Sequence, residues 1–280
     1  MIRIIFNPKS GKSTNSEKLE RLLEKFQSEK MLYAMYKTER KGHGKSLARE
    51  LSKTKEPILI AGGDGTVYET INGMNIEIPI SIIPLGTGND IAKTLGIKFN
   101  LKNHVEALKK PPKLIDYIVL NDKYRALSFV ALGAIIEIAR EKNNNKKGYF
   151  SILSSMIFSF KAKTYEIEFN GEKKVVEADL LSIHNATYAG GGMYLGHDSK
   201  IDDGFLDLLI VEYKGKLRRI LNIIAILNKN LHKQPNVSIA KINKITIKGE
   251  NDKYCCVDGE IIEEKEINAQ IIHKGLKILY

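Results

Sequence analysis

Asp64 sits among glycines, in Gly62-Gly63-Asp64-Gly65-Thr66, directly after the apolar run Ile58-Leu59-Ile60-Ala61. A glycine loop between a strand end and a helix start presents backbone N–H groups and the positive end of the helix dipole, and such a loop binds phosphate. A carboxylate in the same loop is repelled by phosphate unless a metal ion or a proton transfer makes use of it. The pattern points to nucleotide phosphates with Mg²⁺, or to a base. The plain alternative is a glycine turn with an Asp helix cap. Leu85-Gly86-Thr87-Gly88-Asn89-Asp90 repeats the arrangement, and Asp90 is again either a site carboxylate or a cap. A third loop, Asn7-Pro8-Lys9-Ser10-Gly11-Lys12, follows the first apolar run; it lacks the GxxxxGK[ST] spacing of a Walker A loop.

Three segments of the second half offer further chemistry. Ala189-Gly190-Gly191-Gly192-Met193 is a bulge or a place of close substrate approach. Lys200-Ile201-Asp202-Asp203-Gly204-Phe205-Leu206-Asp207 is an acidic turn able to offer carboxylate and carbonyl oxygens to a hard cation, or simply a turn before a strand. Tyr254-Cys255-Cys256-Val257-Asp258-Gly259-Glu260 ends a strand with two carboxylates around a glycine, which is either a hairpin turn or a place to aim a general base. His43, in Gly42-His43-Gly44, reads as a solvated loop residue.

The elements that must position these residues follow from periodicity. Apolar runs at 2–6, 31–38, 58–61 and 79–84 read as strands, with Thr38 at the end of the second. Leu19, Leu22, Leu23 and Phe26, then Leu47, Ala48 and Leu51, then Val67, Ile71 and Met74, recur at helical spacing; the third of these helices is expected to start near Thr66. A fourth begins at Ile91, Ala92 and Leu95. The alternation predicts a doubly wound α/β nucleotide-binding domain over 1–113, whose ligand edge lies at the strand ends. After Pro111-Pro112 β-like runs dominate, at 114–120, 124–130, 165–169, 174–177, 180–184, 206–213, 237–240, 244–247, 254–257 and 267–272. Asn170-Gly171 marks a hairpin. Helices are expected at about 149–160 and 217–231, and 143–148 reads as a mobile loop. Residues 114–274 are therefore expected to form a mostly antiparallel β-sandwich domain, with 275–280 as candidates to return to the first domain.

Composition is that of an ordinary globular protein, 43% hydrophobic and 28% charged. The longest uncharged apolar run, about 148–160, is shorter than the roughly 20 residues of a membrane span. Met1-Ile2-Arg3-Ile4-Ile5-Phe6 reads as a strand rather than a signal peptide, and the only cysteines, Cys255 and Cys256, are adjacent. The expected compartment is the cytoplasm. The net charge of +11 suits nucleic acid, an anionic membrane surface or an anionic substrate, or is a solvated lysine surface. Zinc-finger spacing and RNP-like aromatic clusters are missing, so nucleic acid is not the expected partner.

Taken in order, Asn7-Pro8-x-x-Gly11, Gly62-Gly63-Asp64-Gly65-Thr66, Gly86-Thr87-Gly88-Asn89-Asp90, Asp202-Asp203-Gly204-x-Leu206 and Asp258-Gly259-Glu260 resemble the diacylglycerol kinase catalytic family, in its bacterial soluble branch related to sphingosine kinases. The resemblance spans nearly the whole chain. Gly-Gly-Asp-Gly-Thr is shared with NAD kinases and resembles a phosphofructokinase loop; the Gly-Thr-x-Asn-Asp segment and the late Asp-Gly-Glu favour lipid kinases. The resemblance implies an α/β domain that binds ATP, a β-rich domain that covers the lipid site, and a reaction in the cleft. It implies ATP contacts from Asn7, Pro8, Lys9, Ser10, Gly11, Thr38, Gly62, Gly63, Asp64, Gly65, Thr66, Val67, Tyr68, Glu69, Gly86, Thr87, Asn89 and Asp90. Asp64 and Asp90 would organise phosphates and Mg²⁺. The carbonyls of Lys200 and Phe205 and the carboxylate of Asp203 would hold a second, structural Mg²⁺. Glu260 or Asp258 would take the proton from the lipid hydroxyl. Tyr68 departs from the family's usual Asn, and Ile91-Ala92-Lys93 from the commoner Phe-Ala-Arg.

The expected activity is transfer of the ATP γ-phosphate to a lipid hydroxyl, of diacylglycerol or a related lipid, with reversible binding to an anionic membrane. A homodimer is left open. The competing readings are a soluble-substrate kinase of the NAD kinase type and a non-catalytic nucleotide- or lipid-binding regulator.

Overall fold

The computed structural model describes residues 1–11, 14–144, 160–250 and 253–280. They form two compact units, Met1–Tyr117 with His273–Tyr280, and Ile118–Ile272.

The first unit contains β1 (Ile2–Phe6), α1 (Thr14–Ser28), β2 (Tyr33–Lys37), α2 (His43–Leu51), β3 (Ile58–Gly62), α3 (Asp64–Ile71), β4 (Ile80–Pro84), α4 (Asp90–Thr94) and α5 (Leu101–Lys109). The strands are parallel in the order β2-β1-β3-β4. Leu19, Leu22 and Phe26 of α1 and Val105 of α5 pack on Ile2, Ile4, Phe6 and Leu59. Alternate residues Ile5 and Ile60 are fully buried too, and α2 and α3 pack on each other and against β1 and β3. Burial on both sides is what a parallel sheet requires, and it explains the near-continuous apolar runs. Helix α3 begins at Asp64, two residues earlier than expected, so Asp64 lies in the first helical turn. The periodicity reading did not single out α5; its start is marked by Asn100, whose side chain accepts the Asn103 N–H at 3.0 Å.

The second unit contains β5 (Lys113–Leu120, entering from the first), β6 (Tyr124–Ala126), β7 (Phe129–Gly133), α6 (Ala134–Asn144), β8 (Lys163–Phe169), β9 (Glu172–His184), β10 (Tyr188–Ala189), β11 (Met193–Tyr194), β12 (Leu206–Glu212), α7 (Lys216–Leu227), a 3-10 turn (Leu231–Lys233), β13 (Val237–Ile242), β14 (Lys244–Gly249), β15 (Tyr254–Val257), β16 (Glu260–Glu263) and β17 (Glu266–Ile278). Antiparallel pairing runs β16-β15-β7-β9-β8-β14-β17, with β12 on β9 and β13 on β12. Asn170 and Gly171, at φ 51 and 80, form the expected tight hairpin between β8 and β9. The last residues of β17 belong to the first unit, where Ile278 pairs in parallel with Ile80 and the Ser81 hydroxyl donates to the Leu279 carbonyl at 2.9 Å.

Several expected boundaries change for physical reasons. The single strand expected at 124–130 is two strands, because the N–H groups of Leu127, Ser128 and Phe129 turn to a carboxylate described below. The runs at 174–177 and 180–184 are one strand, β9. Asn143 and Asn144 end α6 rather than lying in a loop, and the periodicity reading did not single out α6. Lys12, residues 145–148 of the expected loop and residues 149–159 of the expected helix lie outside the described residues.

Two histidines sit in apolar surroundings. Burial pushes the His184 imidazole down to about 3 and the His104 imidazole down to about 4. Both stay neutral in the folded chain at pH values where the unfolded chain has already taken up protons, below about 6.5. The unfolded state therefore binds more protons between about pH 4 and 6.5, and stability falls as pH drops through that window, by about 1.4 kcal/mol per pH unit per histidine. Urea midpoints at pH 7 and pH 5 check this: a lower midpoint at pH 5 is expected, with a smaller drop in a His104→Gln, His184→Gln variant. An equal drop in that variant would assign the effect to other groups.

Candidate active site

The three loops expected to bind phosphate all emerge from the carboxyl ends of the parallel strands of the first unit. Asn7–Gly11 follows β1, Gly63 follows β3 and Leu85–Asn89 follows β4; Thr38 follows β2, is buried, and its N–H donates to the Phe6 carbonyl at 2.8 Å. This edge is the usual ligand edge of an open α/β sheet.

Side chains and bare backbone hold the loops against each other. The Asp64 carboxylate accepts the Asn89 N–H through Oδ2 at 2.8 Å and the Asp90 N–H through Oδ1 at 2.6 Å. Gly63 and Gly86 meet back to back; a Cβ on Gly86 would lie 2.5 Å from Gly63 Cα, and one on Gly63 would lie 3.0 Å from Gly86 Cα. Two glycines are needed because a side chain on either would push the loops apart. Asn89 adopts φ 52 and closes its own loop: Oδ1 accepts the Gly86 N–H at 2.9 Å, and Nδ2 donates to the Gly86 carbonyl at 2.8 Å. The first loop joins in, with Asn7 Nδ2 donating to Thr66 Oγ1 at 3.1 Å and the Gly63 N–H donating to Ser10 Oγ at 3.3 Å. Asn7 Oδ1 also accepts the Lys9 N–H at 3.0 Å. Pro8, Lys9, Gly11, Gly65 and Thr87 are exposed, whereas Thr66, Val67 and Asp90 are buried and Tyr68 is half-buried.

Glu69 plays a part that its sequence position did not show. Its two carboxylate oxygens accept the N–H groups of Gly42 and Gly44 at 2.7 and 2.9 Å, at the start of α2. That charge sits where the helix dipole favours it. The arrangement ties α3 to α2.

Magnesium can be tested against these groups. Each oxygen of Asp64 accepts one backbone N–H, and a carboxylate offers about four lone-pair sites. Asp64 can keep both loop bonds and still face a hydrated ion, so a catalytic Mg²⁺ fits. The acidic turn carries contacts within the protein. Asp203 Oδ1 accepts the Phe205 N–H at 3.0 Å, and Oδ2 accepts from Lys241 Nζ at 2.8 Å; the same ammonium lies 3.5 Å from Asp207 Oδ1. Lys241 and Asp207 are opposite each other on β13 and β12. A divalent ion held by the carbonyls of Lys200 and Phe205 and the carboxylate of Asp203 would share that carboxylate with the Lys241 ammonium. Among the described residues no group of three or more His, Cys, Asp or Glu side chains gathers as a metal site.

In the second unit, Asp258 and Gly259, at φ 48 and 94, form the two-residue turn between β15 and β16, with Val257 paired to Glu260. Both oxygens of Asp258 are engaged by the broken strand: Oδ2 accepts the Leu127 N–H at 2.7 Å, and Oδ1 accepts those of Ser128 and Phe129 at 2.9 Å each. Sequence left Asp258 and Glu260 equivalent. Three backbone N–H groups hold the Asp258 carboxylate, which fixes the turn from which Glu260 projects. Glu260 is half-buried at the first position of β16.

Residues 1–120 match the diacylglycerol kinase catalytic domain, and residues 134–280 match the YegS C-terminal NAD kinase beta sandwich-like domain. A diacylglycerol kinase of Staphylococcus saprophyticus is 30% identical over 271 residues, covering 92% of this chain and 88% of that one. One from Staphylococcus aureus strain Newman is 29% identical, covering 92% and 85%. A crystal structure of a diacylglycerol kinase from Bacillus anthracis strain Sterne superposes with a TM-score of 0.79 at 26% identity, covering 100% of this chain and 96% of that one. An NAD kinase from Archaeoglobus fulgidus in complex with ATP gives a TM-score of 0.58 at 13% identity, covering 100% and 94%, a likeness of fold alone.

Proposed function

The chain belongs to the diacylglycerol kinase family and is an ATP-dependent lipid kinase, and we propose that its acceptor is diacylglycerol or a closely related lipid alcohol, with Glu260 as the base. The observation that carries the assignment of roles is the pair of clamps: Asp64 joins two phosphate loops through Asn89 and Asp90, and Asp258 is held by three amides next to Glu260.

In this reading the loop N–H groups and the Asn7–Gly11 segment hold the ATP phosphates. The lipid hydroxyl loses its proton to the Glu260 carboxylate as its oxygen bonds to the γ-phosphorus, and the bond from that phosphorus to the β-γ bridging oxygen breaks to release ADP. Phosphoryl transfer depends mainly on positioning and charge neutralisation, which preset loops supply without reorganising at the moment of reaction. Magnesium, held at Asp64 and Asp90, would neutralise phosphate charge. Chelation should therefore stop turnover, and added Mg²⁺ should restore it.

The acceptor is tested by offering diacylglycerol, a sphingoid base and NAD in parallel and identifying the phosphorylated product. Phosphatidic acid as the main product is expected. Label on NAD alone would move the chain to the soluble-substrate class.

We also propose reversible binding to an anionic membrane through α7. Leu217 is 74% exposed, Leu221 40%, Ile224 49% and Leu227 51%. They lie on one side of the helix, while Arg219, Asn222 and Ala225 are buried. Lys214, Lys216, Arg218, Lys229 and Lys233 flank this stripe in sequence. An apolar stripe between basic residues matches a helix lying in the lipid interface, where each well-placed Lys or Arg adds about 1 kcal/mol on an anionic leaflet. Among the described residues no helix is long and apolar enough to cross a membrane. Flotation with phosphatidylglycerol vesicles is expected to weaken at least about tenfold in a Leu217→Gln, Leu221→Gln, Ile224→Gln variant, a loss of about 1.4 kcal/mol or more. It should weaken also at high salt. Unchanged flotation of the variant would remove α7 from the membrane contact.

A further inference from the structure

The bend that separates β6 from β7 is held from two directions. Asp258 holds it from one: its carboxylate accepts the N–H groups of Leu127, Ser128 and Phe129, and its own N–H donates to the Phe129 carbonyl at 3.1 Å. Asn185, the residue after β9, holds it from the other. Its Nδ2 donates to the Leu127 carbonyl at 2.9 Å, and its N–H donates to the Ser128 carbonyl at 2.9 Å. The Ala186 N–H reaches that same Ser128 carbonyl at 3.2 Å. Leu127, Asn185 and Ala186 are fully buried, and Ser128 is nearly so. Each N–H and C=O of the three bent residues therefore has a partner, as buried backbone requires.

The Leu127 carbonyl is met in an unusual way. The pairing of β7 with β9 ends at Phe129 and His184. Beyond it a carboxamide takes the place of a backbone donor. The side-chain type is constrained: aspartate would face the Leu127 carbonyl with an oxygen, and leucine would offer it no donor. The peptides that Asn185 fixes are the same ones that hold the Asp258 carboxylate. Asp258 in turn opens the two-residue turn that sets Glu260 opposite Val257 at the start of β16. A catalytic group must be held within about 0.5 Å of its productive place, and its own contacts alone do not achieve that.

We infer that Asn185 is a positioning residue for the proton acceptor, acting through the Leu127–Phe129 bend and Asp258 on the placement of Glu260. The inference rests on the reading of Glu260 as the base. It adds a buried residue, 75 positions earlier in the chain, whose effect on turnover passes through that carboxylate.

The test is a double-mutant cycle on the full chain. Wild type, Asn185→Ala, Glu260→Gln and the double variant are compared for kcat, for KM toward ATP and diacylglycerol, and for Tm. Asn185→Ala is expected to lower Tm and to lower kcat by about tenfold to a hundredfold, the cost of a misplacement of up to about 1 Å, with the KM for ATP unchanged. In the Glu260→Gln background the same substitution should lower kcat by less than about twofold, because the group it positions is already gone. A merely structural residue would behave otherwise, since a smaller folded fraction costs the same factor in both backgrounds. Asn185→Ser, a milder change, carries the same cycle if the alanine variant does not fold. Equal factors in the two backgrounds would overturn the inference and leave the kinase reading and its base intact. Turnover of Glu260→Gln at the wild-type rate would instead remove the base assignment, and the inference with it.

Discussion

Asp64→Ala is expected to lower kcat/KM by at least about 10² to 10³, the usual cost of removing one preorganised electrostatic element from a transfer site. Two effects combine. The variant loses the carboxylate at which a magnesium ion would act, and it loses the two backbone hydrogen bonds from Asn89 and Asp90 that join their loop to the glycine loop after β3. Bonds to a charged acceptor contribute about 1.5–3 kcal/mol each, so a drop in Tm accompanies the loss. Asp64→Asn separates the two. It preserves one carbonyl acceptor but turns an NH₂ toward the second N–H donor, so the loop junction is only partly restored and the charge is gone. Both variants should be nearly inactive, with Asn the more stable. An Asp64→Asn chain that turns over like the wild type would show that the charge serves only as a loop tie and that the proposed catalytic role is wrong.

Glu260 and Asp258 should respond in opposite ways. Glu260→Gln keeps the half-buried side chain's shape and is expected to leave stability within about 0.5 kcal/mol, as for most substitutions away from packed cores. It removes the proton acceptor, so kcat should fall by about 10² to 10⁴ with the KM for ATP little changed. Asp258→Ala leaves the N–H groups of Leu127, Ser128 and Phe129 without their acceptor. Each buried donor left unsatisfied costs about 1–3 kcal/mol, so this variant should be destabilised by several kcal/mol, and its lost activity should recover partly at low temperature. Equal loss of stability in the two variants, or unimpaired kcat in Glu260→Gln, would contradict the division of roles.

The parts of the chain that could be read in sequence are those whose partners are local. Ile58-Leu59-Ile60-Ala61 and its glycine loop announce a buried parallel strand and a phosphate edge because apolarity, glycines and helix start are contiguous. Asn170-Gly171 fixes a hairpin for the same reason. What could not be read involves distant partners. Nothing near 124–130 signals that the strand breaks at Leu127, because the carboxylate that breaks it, Asp258, is remote in sequence. Lys241 reaches the acidic turn only through the pairing of β12 with β13, a contact that no local pattern announces. The bonds from Gly42 and Gly44 to Glu69 likewise join residues far apart in the chain.

The most direct single measurement is the recovery of γ-labelled phosphate in the organic phase, from ATP and Mg²⁺ with diacylglycerol micelles, for the wild-type chain and Glu260→Gln side by side. Rapid labelling of phosphatidic acid by the wild type, and a rate at least about a hundredfold lower in the variant, is the expected result. An unlabelled organic phase with the wild type, or equal rates in the two chains, would contradict the proposed reaction or its base.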